Sequence, residues 1–426
     1  MNGRTWSGRA SLCVVVALGL LLAACGGGSS KGASSGGSTG TTAPAKPCPG
    51  QPMKFTEIVA LTSPLGASTA AYQDAVNAAV DGVNRNCTLG RPLQVTICDD
   101  KADVNANVAC GRKAGSDGSL AILGSVGSFD DGVKASKLPA VFVNGTSSFE
   151  LTDPKAYSSV NGLALGISAA SALKARGKSS DTLVLPDTPT FQFAGGLLVK
   201  LAGIIGIKVS DPIYYPQDTT DFAPIAAQIT ERHDDSIGML PTNPVVVVNA
   251  LAQEGITPDK EDIVVPGGII TPDVMKQLGG ALNGMLVVSE VLPPTDTSNQ
   301  GIQEFRADMQ ADGKNPDDPN VDFGTVTSWS NVKKLEGALL AAGPAVITSL
   351  DSQEVVDAVV NHPVNRPEAA PYDFRKHAMP EVPELAGFRM FTRKVAVLQI
   401  ENGKYNVLSD GFIDILKPPN LSANGG

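Results

Sequence analysis

Three short segments rich in glycine and hydroxyl side chains are the residues best suited to chemistry in this chain. They run from Ser63 to Ser68, from Gly124 to Ser128 and from Asn144 to Ser148. Backbone N–H groups and hydroxyls exposed near helix starts suit a carboxylate or a similar oxygen-rich group. Each segment alone is equally consistent with a tight turn or a helix cap. Three of them together favour a binding site for a small polar solute.

Residues for catalysis or metal binding are scarce. The only histidines are His233, His362 and His377, and their polar or proline-rich contexts argue against a histidine-based triad or metal centre. Asp99 and Asp100 form a carboxylate pair, but their position at a predicted strand end favours helix capping. We therefore expect no enzyme activity, no metal and no cofactor, and a secreted hydrolase is a distant alternative.

The cysteines point to an oxidising compartment. Beyond the N-terminal region, four remain, Cys48, Cys87, Cys98 and Cys110, and four cysteines allow three pairings. We favour Cys98 with Cys110, which joins a strand end to the following helix, and Cys48 with Cys87, which fixes the start of the body to the end of the first helix. A zinc site is the alternative, although the spacing lacks C-x-x-C pairs and the region has no histidine.

The N-terminal region predicts export from the cytoplasm. An apolar run that follows Arg4 and Arg9 is too short to span about 30 Å of hydrocarbon, so residues 1–24 are predicted to be a cleaved signal peptide. The small residues before Cys25 resemble a bacterial lipobox, which implies that Cys25 carries a diacylglycerol anchor. An ordinary signal peptide with an incidental cysteine is the alternative. If Cys25 is lipidated, residues 25–52 are a flexible linker on the extracytoplasmic face of the cell membrane, and residues 26–46, a Gly/Ser-rich coil, have a reach of about 25 Å.

The size and charge of the body limit its partners. About 370 residues are too many for one compact core and suit two lobes. The net charge is −10, and the sequence contains no basic cluster. Nucleic acid and anionic lipid both favour Lys/Arg patches, so neither is expected as a partner.

Short apolar runs alternate with helical patterns along the body, which predicts parallel sheets covered by helices on both faces. Strands are predicted at 55–61, 93–98, 120–123, 138–143, 179–185, 208–214, 237–240, 263–265 and 285–288, and helices at 70–84, 105–114, 162–175, 194–203 and 222–230. Two further strands flank Asn402-Gly403, a strong hairpin signal, so a β-hairpin is expected to close the chain. Parallel sheets bind ligands beyond the carboxyl ends of their strands, where the three hydroxyl-rich segments fall.

A series of short motifs resembles the type I solute-binding lipoproteins of ABC importers, particularly the leucine/isoleucine/valine-binding branch. The motifs are Ser63-Pro64-Leu65, Cys98-Asp99-Asp100, Leu123-Gly124-Ser125, Phe149-Glu150-Leu151-Thr152, Thr220-Asp221-Phe222, Gly284-Met285-Leu286-Val287 and Ser298-Asn299-Gln300-Gly301-Ile302. Each is weak alone, but their order and spacing are specific. The resemblance implies an α/β fold of two Rossmann-like lobes with parallel central sheets, joined by three hinge crossings.

The resemblance also implies a domain arrangement and partners. Lobe 1 would comprise residues 53–161 plus 294–387, and lobe 2 would comprise residues 162–293 plus 388–417, followed by a tail at 418–426. A small-molecule ligand would lie in the cleft between the lobes. The permease subunits of an ABC transporter would receive it, and a ligand-sensing lipoprotein without a transporter is the alternative.

Several site residues are implied by the same resemblance. Ser128 matches the serine that grips the ligand carboxylate, and Gly145 and Ser147 match contacts of the next loop. Phe191 stands where members often carry a cleft tyrosine, and Ser68 stands where the branched-chain binder has an aromatic residue. The other predicted contacts are Ser63, Thr146, Asp187, Thr242, Asn243 and Gly268.

The sequence also departs from amino-acid binders. Gly267 and Gly268 occupy the place of the acid that pairs with the ligand's ammonium group, and Thr242-Asn243 replaces neighbouring tyrosines. A buried ammonium group without a carboxylate would be costly. We therefore expect a small polar or amphipathic solute other than a standard α-amino acid, such as an amide or organic acid. Asp187 is the alternative source of the missing charge.

Overall fold

The computed structural model describes residues 48–62, 69–126, 129–144, 148–159, 162–409 and 411–421. The predicted signal peptide, Cys25 and most of the predicted linker lie outside the described residues. Within the described residues, no helix combines the length and apolar character needed to cross a bilayer.

The first sheet is built by the N-terminal third of the body. Its strands are β1 (Met53–Val59), β2 (Leu93–Asp99), β3 (Ile122–Val126), β4 (Ala140–Val143) and β5 (Ala156–Ser158). They pair in parallel in the order β2-β1-β3-β4-β5. The connecting helices are α1 (Thr69–Asn86), α2 (Val104–Ser116), α3 (Asp131–Ser136) and α4 (Ser148–Thr152). The central strand β1 is almost wholly buried, as expected for a strand covered on both faces.

The second sheet has nine strands. They are β6 (Ser180–Pro186), β7 (Lys208–Val209), β8 (Ile213–Tyr215), β9 (Ser236–Met239), β10 (Asp262–Pro266), β11 (Leu286–Ser289), β12 (Lys394–Glu401), β13 (Lys404–Val407) and β14 (Ile413–Asp414). The order is β13-β12-β11-β10-β9-β6-β7, with β8 beside β6 and β14 beside β12. Strands β6 to β11 pair in parallel, whereas β12 is antiparallel to β11, β13 and β14. The helices between these strands are α5 (Gly162–Ala175), α6 (Pro189–Ile204), α7 (Ala223–Arg232), α8 (Pro244–Gln253) and α9 (Pro272–Leu278), the last followed by a 3-10 turn (Gly279–Leu282).

The chain passes between the two sheets three times. It leaves the first sheet after β5, leaves the second after β11 and returns to it before β12. The intervening helices are α10 (Gln300–Ala311), α11 (Phe323–Ala342), α12 (Pro344–Ser349) and α13 (Ser352–Asn361), followed by a 3-10 turn (Pro383–Leu385). Helices α10 and α11 pack against α1, next to the first sheet. The expected α/β fold with parallel central sheets and three crossings is confirmed.

Backbone hydrogen bonds tie the second crossing to a distant segment. The Ala370 N–H donates to the Glu290 carbonyl at 2.7 Å, and the Leu292 N–H donates to the Glu368 carbonyl at 2.8 Å. Val291 and Ala369 form an antiparallel bridge between them. These contacts join segments 290–292 and 368–370.

Two disulfides stabilise the first part of the body. Cys48 pairs with Cys87 at a Cα–Cα distance of 5.3 Å, and Cys98 pairs with Cys110 at 5.7 Å. This is the pairing that the sequence favours. The second disulfide links the end of β2 to α2, and the first holds the start of the body against the end of α1.

Some sequence predictions are wrong in detail. The strand expected at 208–214 is divided into β7 and β8, because the break contains Pro212, which has no N–H to donate to a sheet ladder. The hairpin around Asn402-Gly403 is present, with both residues at positive φ as a type I′ turn requires. It does not close the chain, however, since β14 follows and pairs with β12.

Candidate functional site

More than half of the predicted ligand contacts lie outside the described residues. They are Ser63, Ser68, Ser128, Gly145, Thr146 and Ser147, which fall in the sequence between β1 and α1, between β3 and α3, or between β4 and α4. The remaining five, Asp187, Phe191, Thr242, Asn243 and Gly268, follow the ends of β6, β9 and β10 in the second sheet. Because these strands are parallel neighbours or near neighbours, the five residues lie along one edge of that sheet.

Asp187 is exposed at this edge. Its N–H donates to the Tyr215 carbonyl at 2.6 Å, which continues the β6–β8 pairing. Its carboxylate accepts a hydrogen bond from the Gln192 side chain at 2.6 Å. Partial burial, with the Asp187 charge as the second cause, raises the pKa of the Tyr214 hydroxyl above its ordinary value. Asp187 is therefore positioned by a polar side chain of α6, the helix that follows it, and remains open to solvent.

Phe191 belongs to the first turn of α6. Its N–H donates to the Thr188 hydroxyl at 3.2 Å, which caps the helix, and Pro189 occupies the first turn as helix starts favour. The partly buried Phe191 ring packs against the apolar cluster between α5, α6 and the second sheet. Its position is thus set mainly by packing.

Thr242 and Asn243 are held by local hydrogen bonds. The Thr242 N–H donates to the Tyr215 hydroxyl at 2.9 Å, and the Thr242 hydroxyl donates to the Gln217 carbonyl at 3.2 Å. The Asn243 side chain accepts from the Val246 N–H at 3.3 Å and so caps α8. Both side chains are occupied by structural bonds, and α6 and α8 both direct their N-termini to this edge. The partial positive charge of helix N-termini favours an anionic group there.

The two glycines after β10 differ in the space around them. A Cβ at Gly267 would lie 3.0 Å from the Cβ and Oγ of Ser289, so a side chain there would crowd β11. Gly268 has a φ of 86° and no heavy atom within 4 Å of a Cβ position. The edge therefore offers open space at Gly268 instead of the acid that amino-acid binders carry.

A pocket of about 150 Å³ lies between the second sheet and the N-terminus of α11. Its walls are mostly apolar and come from four separate parts of the chain: Ile270 and Met275, Pro294, Val321 and Phe323, and Tyr405. The Phe323 and Tyr405 rings meet edge to face with centroids 5.0 Å apart. The Tyr405 hydroxyl donates to the Ile270 carbonyl. The pocket therefore lies between the second sheet and the start of α11, the helix that packs against α1.

Asp322 supplies the acidic group of this pocket. It is 8% exposed, and its carboxylate accepts the Thr325 N–H at 3.0 Å as the cap of α11. Burial raises the pKa of Asp322, and backbone hydrogen bonds from Thr325 and Gly324 oppose that rise. Sequence reasoning missed this pocket because its walls come from segments far apart in the chain and none of them carries a recognisable motif.

A second buried acid lies in the first sheet. Glu57, in β1, is 2% exposed and accepts a hydrogen bond from the Tyr72 hydroxyl. Desolvation raises the pKa of Glu57 to about 8, and the bond from Tyr72 opposes the rise. At pH 7 burial therefore favours the protonated, neutral form of the Glu57 carboxyl group. It lies under Gly124, where a Cβ would be 2.9 Å from its carboxyl oxygen.

The described residues contain no cluster of three or more His, Cys, Asp or Glu side chains arranged to hold a metal ion. What they do offer is helix N-termini at the carboxyl edge of the second sheet and an apolar pocket between that sheet and the start of α11. Such an arrangement suits reversible binding of a solute with a polar end and an apolar body.

Comparisons with known proteins agree with this fold. The sequence profile of the periplasmic binding protein family matches residues 52–404. No curated protein sequence matches the chain. The chain is similar to the solute-binding protein of an ABC transporter from R. palustris in complex with 4-hydroxybenzoate, at 17% identity and a TM-score of 0.67, covering 88% of this chain and 100% of that chain.

Two further solved structures have the same fold. The fatty acid ABC transporter substrate-binding protein from Thermomonospora curvata is 15% identical, with a TM-score of 0.64 over 89% of this chain and 96% of that chain. A putative branched-chain amino acid ABC transporter structure from Rhodospirillum rubrum is 16% identical, with a TM-score of 0.60 over 84% of this chain and 100% of that chain. Since the family profile spans most of the chain and the architecture agrees with it, the protein belongs to the periplasmic binding protein family.

Proposed function

We propose that the protein captures a small polar or amphipathic solute between two lobes and presents it to the permease subunits of an ABC importer. The observation that carries the proposal is the family match over residues 52–404, on a chain whose two parallel sheets are linked by three crossings. A ligand that contacts both lobes only when the cleft is shut has a higher affinity for the closed state. That difference in affinity drives closure.

The chemistry of the site favours an organic acid or amide with an apolar body. The N-termini of α6 and α8 suit a carboxylate or similar group, and the pocket around Phe323 and Tyr405 suits an apolar part. Ligands with both features, 4-hydroxybenzoate and a fatty acid, are named for two structures similar to this chain. Gly267 and Gly268 offer no acid for an ammonium group, and Asp187, an exposed carboxylate at this edge, is the candidate to replace it.

The cellular location of the protein is part of the proposal. A diacylglycerol on Cys25 and a flexible linker would hold the receptor near its permease on the extracytoplasmic face of the membrane. The two disulfides of the body support an oxidising compartment. The lobe boundaries at residues 161, 293 and 387 belong to the same proposal, since each falls in one of the crossings between the sheets.

Thermal unfolding in the presence of single metabolites tests solute capture. A ligand that binds only the folded state stabilises it by RT ln(1 + [L]/Kd), or about 2.7 kcal/mol at a hundred times Kd. We expect at least one hydroxylated aromatic acid, fatty acid or amide to raise the unfolding temperature in a saturable manner. If no member of these classes does so while an unrelated class such as sugars does, the assignment of the ligand class is wrong.

Serine variants then test the predicted contacts of the first lobe. Ser128→Ala and Ser147→Ala should each weaken binding of the confirmed solute by roughly fivefold, because each removes one hydrogen bond worth about 1 kcal/mol. Ser116→Ala is the matched control, since Ser116 is an exposed residue whose hydroxyl bonds only its own helix at the Lys113 carbonyl. Isothermal titration provides the affinities. Equal affinities for all three variants would show that the two serines do not contact the ligand.

A further inference from the structure

A cavity of about 430 Å³ beside the first sheet is lined by three lysines, Lys134, Lys137 and Lys155. Lys134 lies in the last turn of α3, Lys137 caps the end of that helix, and Lys155 directly precedes β5. No run of basic residues in the sequence predicts this patch, because the fold brings the three lysines together from separate segments. It is called the basic cavity below.

The lysines of the basic cavity are available to a ligand. All three are exposed, and none forms an ion pair with another of the described residues. The Lys134 ammonium nitrogen is 5.2 Å from the centroid of the Phe149 ring, within the range of cation–π attraction. Asp153 is the acid among the lining residues, and its carboxylate accepts the Lys155 N–H at 2.8 Å. Positive charge therefore exceeds negative charge in this cavity, on a protein whose net charge is −10.

The walls of the basic cavity combine this charge with apolar surface. Leu138, Phe149 and Pro154 lie beside the lysines. Lysine ammonium groups bind phosphate as point charges, and basic pockets of membrane proteins bind phospholipid headgroups in this way. The apolar wall suits the carbon atoms next to the phosphate. The cavity therefore fits a phosphate group attached to an apolar body.

The basic cavity lies at the edge of the first sheet where the described chain begins. Lys137 and Lys155 precede β4 and β5, and the chain runs from Cys48 into β1 at Met53. Because these strands are parallel, their starts share one edge, opposite the carboxyl edge. The starts of β1 and β5 are three strand spacings apart, or about 14 Å. A linker anchored in a membrane would therefore bring this edge close to the bilayer.

We propose that the basic cavity is a docking surface for anionic phospholipid headgroups, which holds this edge of the first sheet against the membrane. The proposal rests on the lipid anchor of the proposed function, because a tethered body meets the bilayer at a high effective concentration and a weak contact then suffices. The net charge alone predicts no anionic lipid partner. It also repels such lipid from the rest of the surface, so the basic cavity determines which side of the body faces the bilayer.

Hydrogen–deuterium exchange of the full mature protein on vesicles tests this proposal. Vesicles of phosphatidylcholine are compared with vesicles of equal parts phosphatidylcholine and phosphatidylglycerol, which differ from the first in negative charge. We expect the amides of α3 and of residues 153–155 to exchange roughly threefold more slowly on the anionic vesicles. The difference should disappear in about 1 M salt, where the Debye length is about 3 Å.

Two triple variants separate the basic cavity from the total charge of the protein. The first removes the charge of the cavity and should exchange at the same rate on both kinds of vesicle: Lys134→Gln, Lys137→Gln and Lys155→Gln. The matched control removes the same charge from three exposed lysines around the second sheet and should keep the threefold difference: Lys200→Gln, Lys208→Gln and Lys260→Gln.

Four results would overturn the proposal. The wild type exchanges equally on both kinds of vesicle, or the control variant loses the difference as fully as the first variant does. Free glycerol phosphate protects the same amides as well as the anionic vesicles do, which would mark a pocket for small anions. An acidic peptide protects them while vesicles do not, which would assign the surface to a protein partner.

Failure of the anchor gives a different result. The protein would not float with phosphatidylcholine vesicles, and both the location and the docking surface would then be wrong. Failure of the basic cavity alone leaves the protein on both kinds of vesicle without a difference in exchange. Because no solute is used, neither result depends on whether the protein captures one.

Discussion

Replacing Glu57 with glutamine is expected to stabilise the protein at pH 8. In the folded state, burial raises the pKa of Glu57 to about 8, whereas an unfolded glutamate titrates near its ordinary value of 4.5. Between these two pH values the folded state holds a proton that the unfolded state releases. The stability of the wild type therefore decreases as pH rises through this window and is greatest below it.

Glutamine removes this pH dependence and keeps an acceptor for the Tyr72 hydroxyl. One pKa unit corresponds to 1.36 kcal/mol, so the variant should exceed the wild type by roughly 2–4 kcal/mol in free energy of unfolding at pH 8. Near pH 4.5 the two should be about equal. Denaturant unfolding at both pH values measures the difference in free energy of unfolding between the variant and the wild type. Burial also raises the pKa of Asp181 to about 7, but Asp181 is present in both proteins and contributes equally to their pH dependence.

Glu254→Gln is the control, because it removes a carboxylate that is exposed at the end of α8 instead of a buried one. It should have the same stability as the wild type at both pH values. If the free energy of unfolding of Glu57→Gln relative to the wild type is the same at pH 8 as at pH 4.5, Glu57 is ionised in the folded protein and the account of its environment is wrong.

Replacing Gly111 with valine is expected to prevent the docking of α3 on α2. A Cβ at Gly111 would lie 1.8 Å from the Gly132 carbonyl oxygen, and a Cβ at Gly132 would lie 2.2 Å from the Asn107 carbonyl oxygen. The two helices therefore meet backbone to backbone, and the Gly132 N–H donates to the Asn107 side chain at the crossing. Overpacking of a contact this close should cost roughly 3 kcal/mol or more in free energy of unfolding.

Helix α3 lies between β3 and β4, so its displacement should also weaken solute binding by the adjoining segments. Gly196→Ala is the matched control, because Gly196 lies inside α6 with no heavy atom within 4 Å of a Cβ position. Alanine there should be neutral or stabilise by about 0.5–1 kcal/mol. A Gly111→Val protein with wild-type unfolding and affinity would contradict the close packing of α2 and α3.

Hydrophobic periodicity predicts the longer elements well. The helix expected at 162–175 is α5 with the same bounds, and the strand expected at 93–98 is β2 within one residue. Short elements such as α4 and the edge strand β5 are not predicted, because three to five residues are too few to show a hydrophobic period. Tertiary contacts decide these elements, since β5 exists by pairing with β4.

The candidate site is predicted only in part by the sequence. The rule that parallel sheets bind at their carboxyl ends correctly groups Asp187, Thr242 and Gly268 along one edge of the second sheet. It does not reveal that Asn243 is occupied as a helix cap, nor that Phe323 and Tyr405 meet across a pocket. Those facts depend on which distant segments pack together, and single-sequence patterns carry no signal for that.

Small-angle X-ray scattering of the protein, with and without the solute that gives the largest thermal shift, tests the central claim most directly. Capture by closure of two lobes predicts that the radius of gyration decreases on saturation, because the ligand stabilises the shut cleft. The same decrease should be absent with a metabolite that gives no thermal shift. A solute that binds with a measurable Kd and leaves the radius of gyration unchanged would contradict closure as the mechanism of capture.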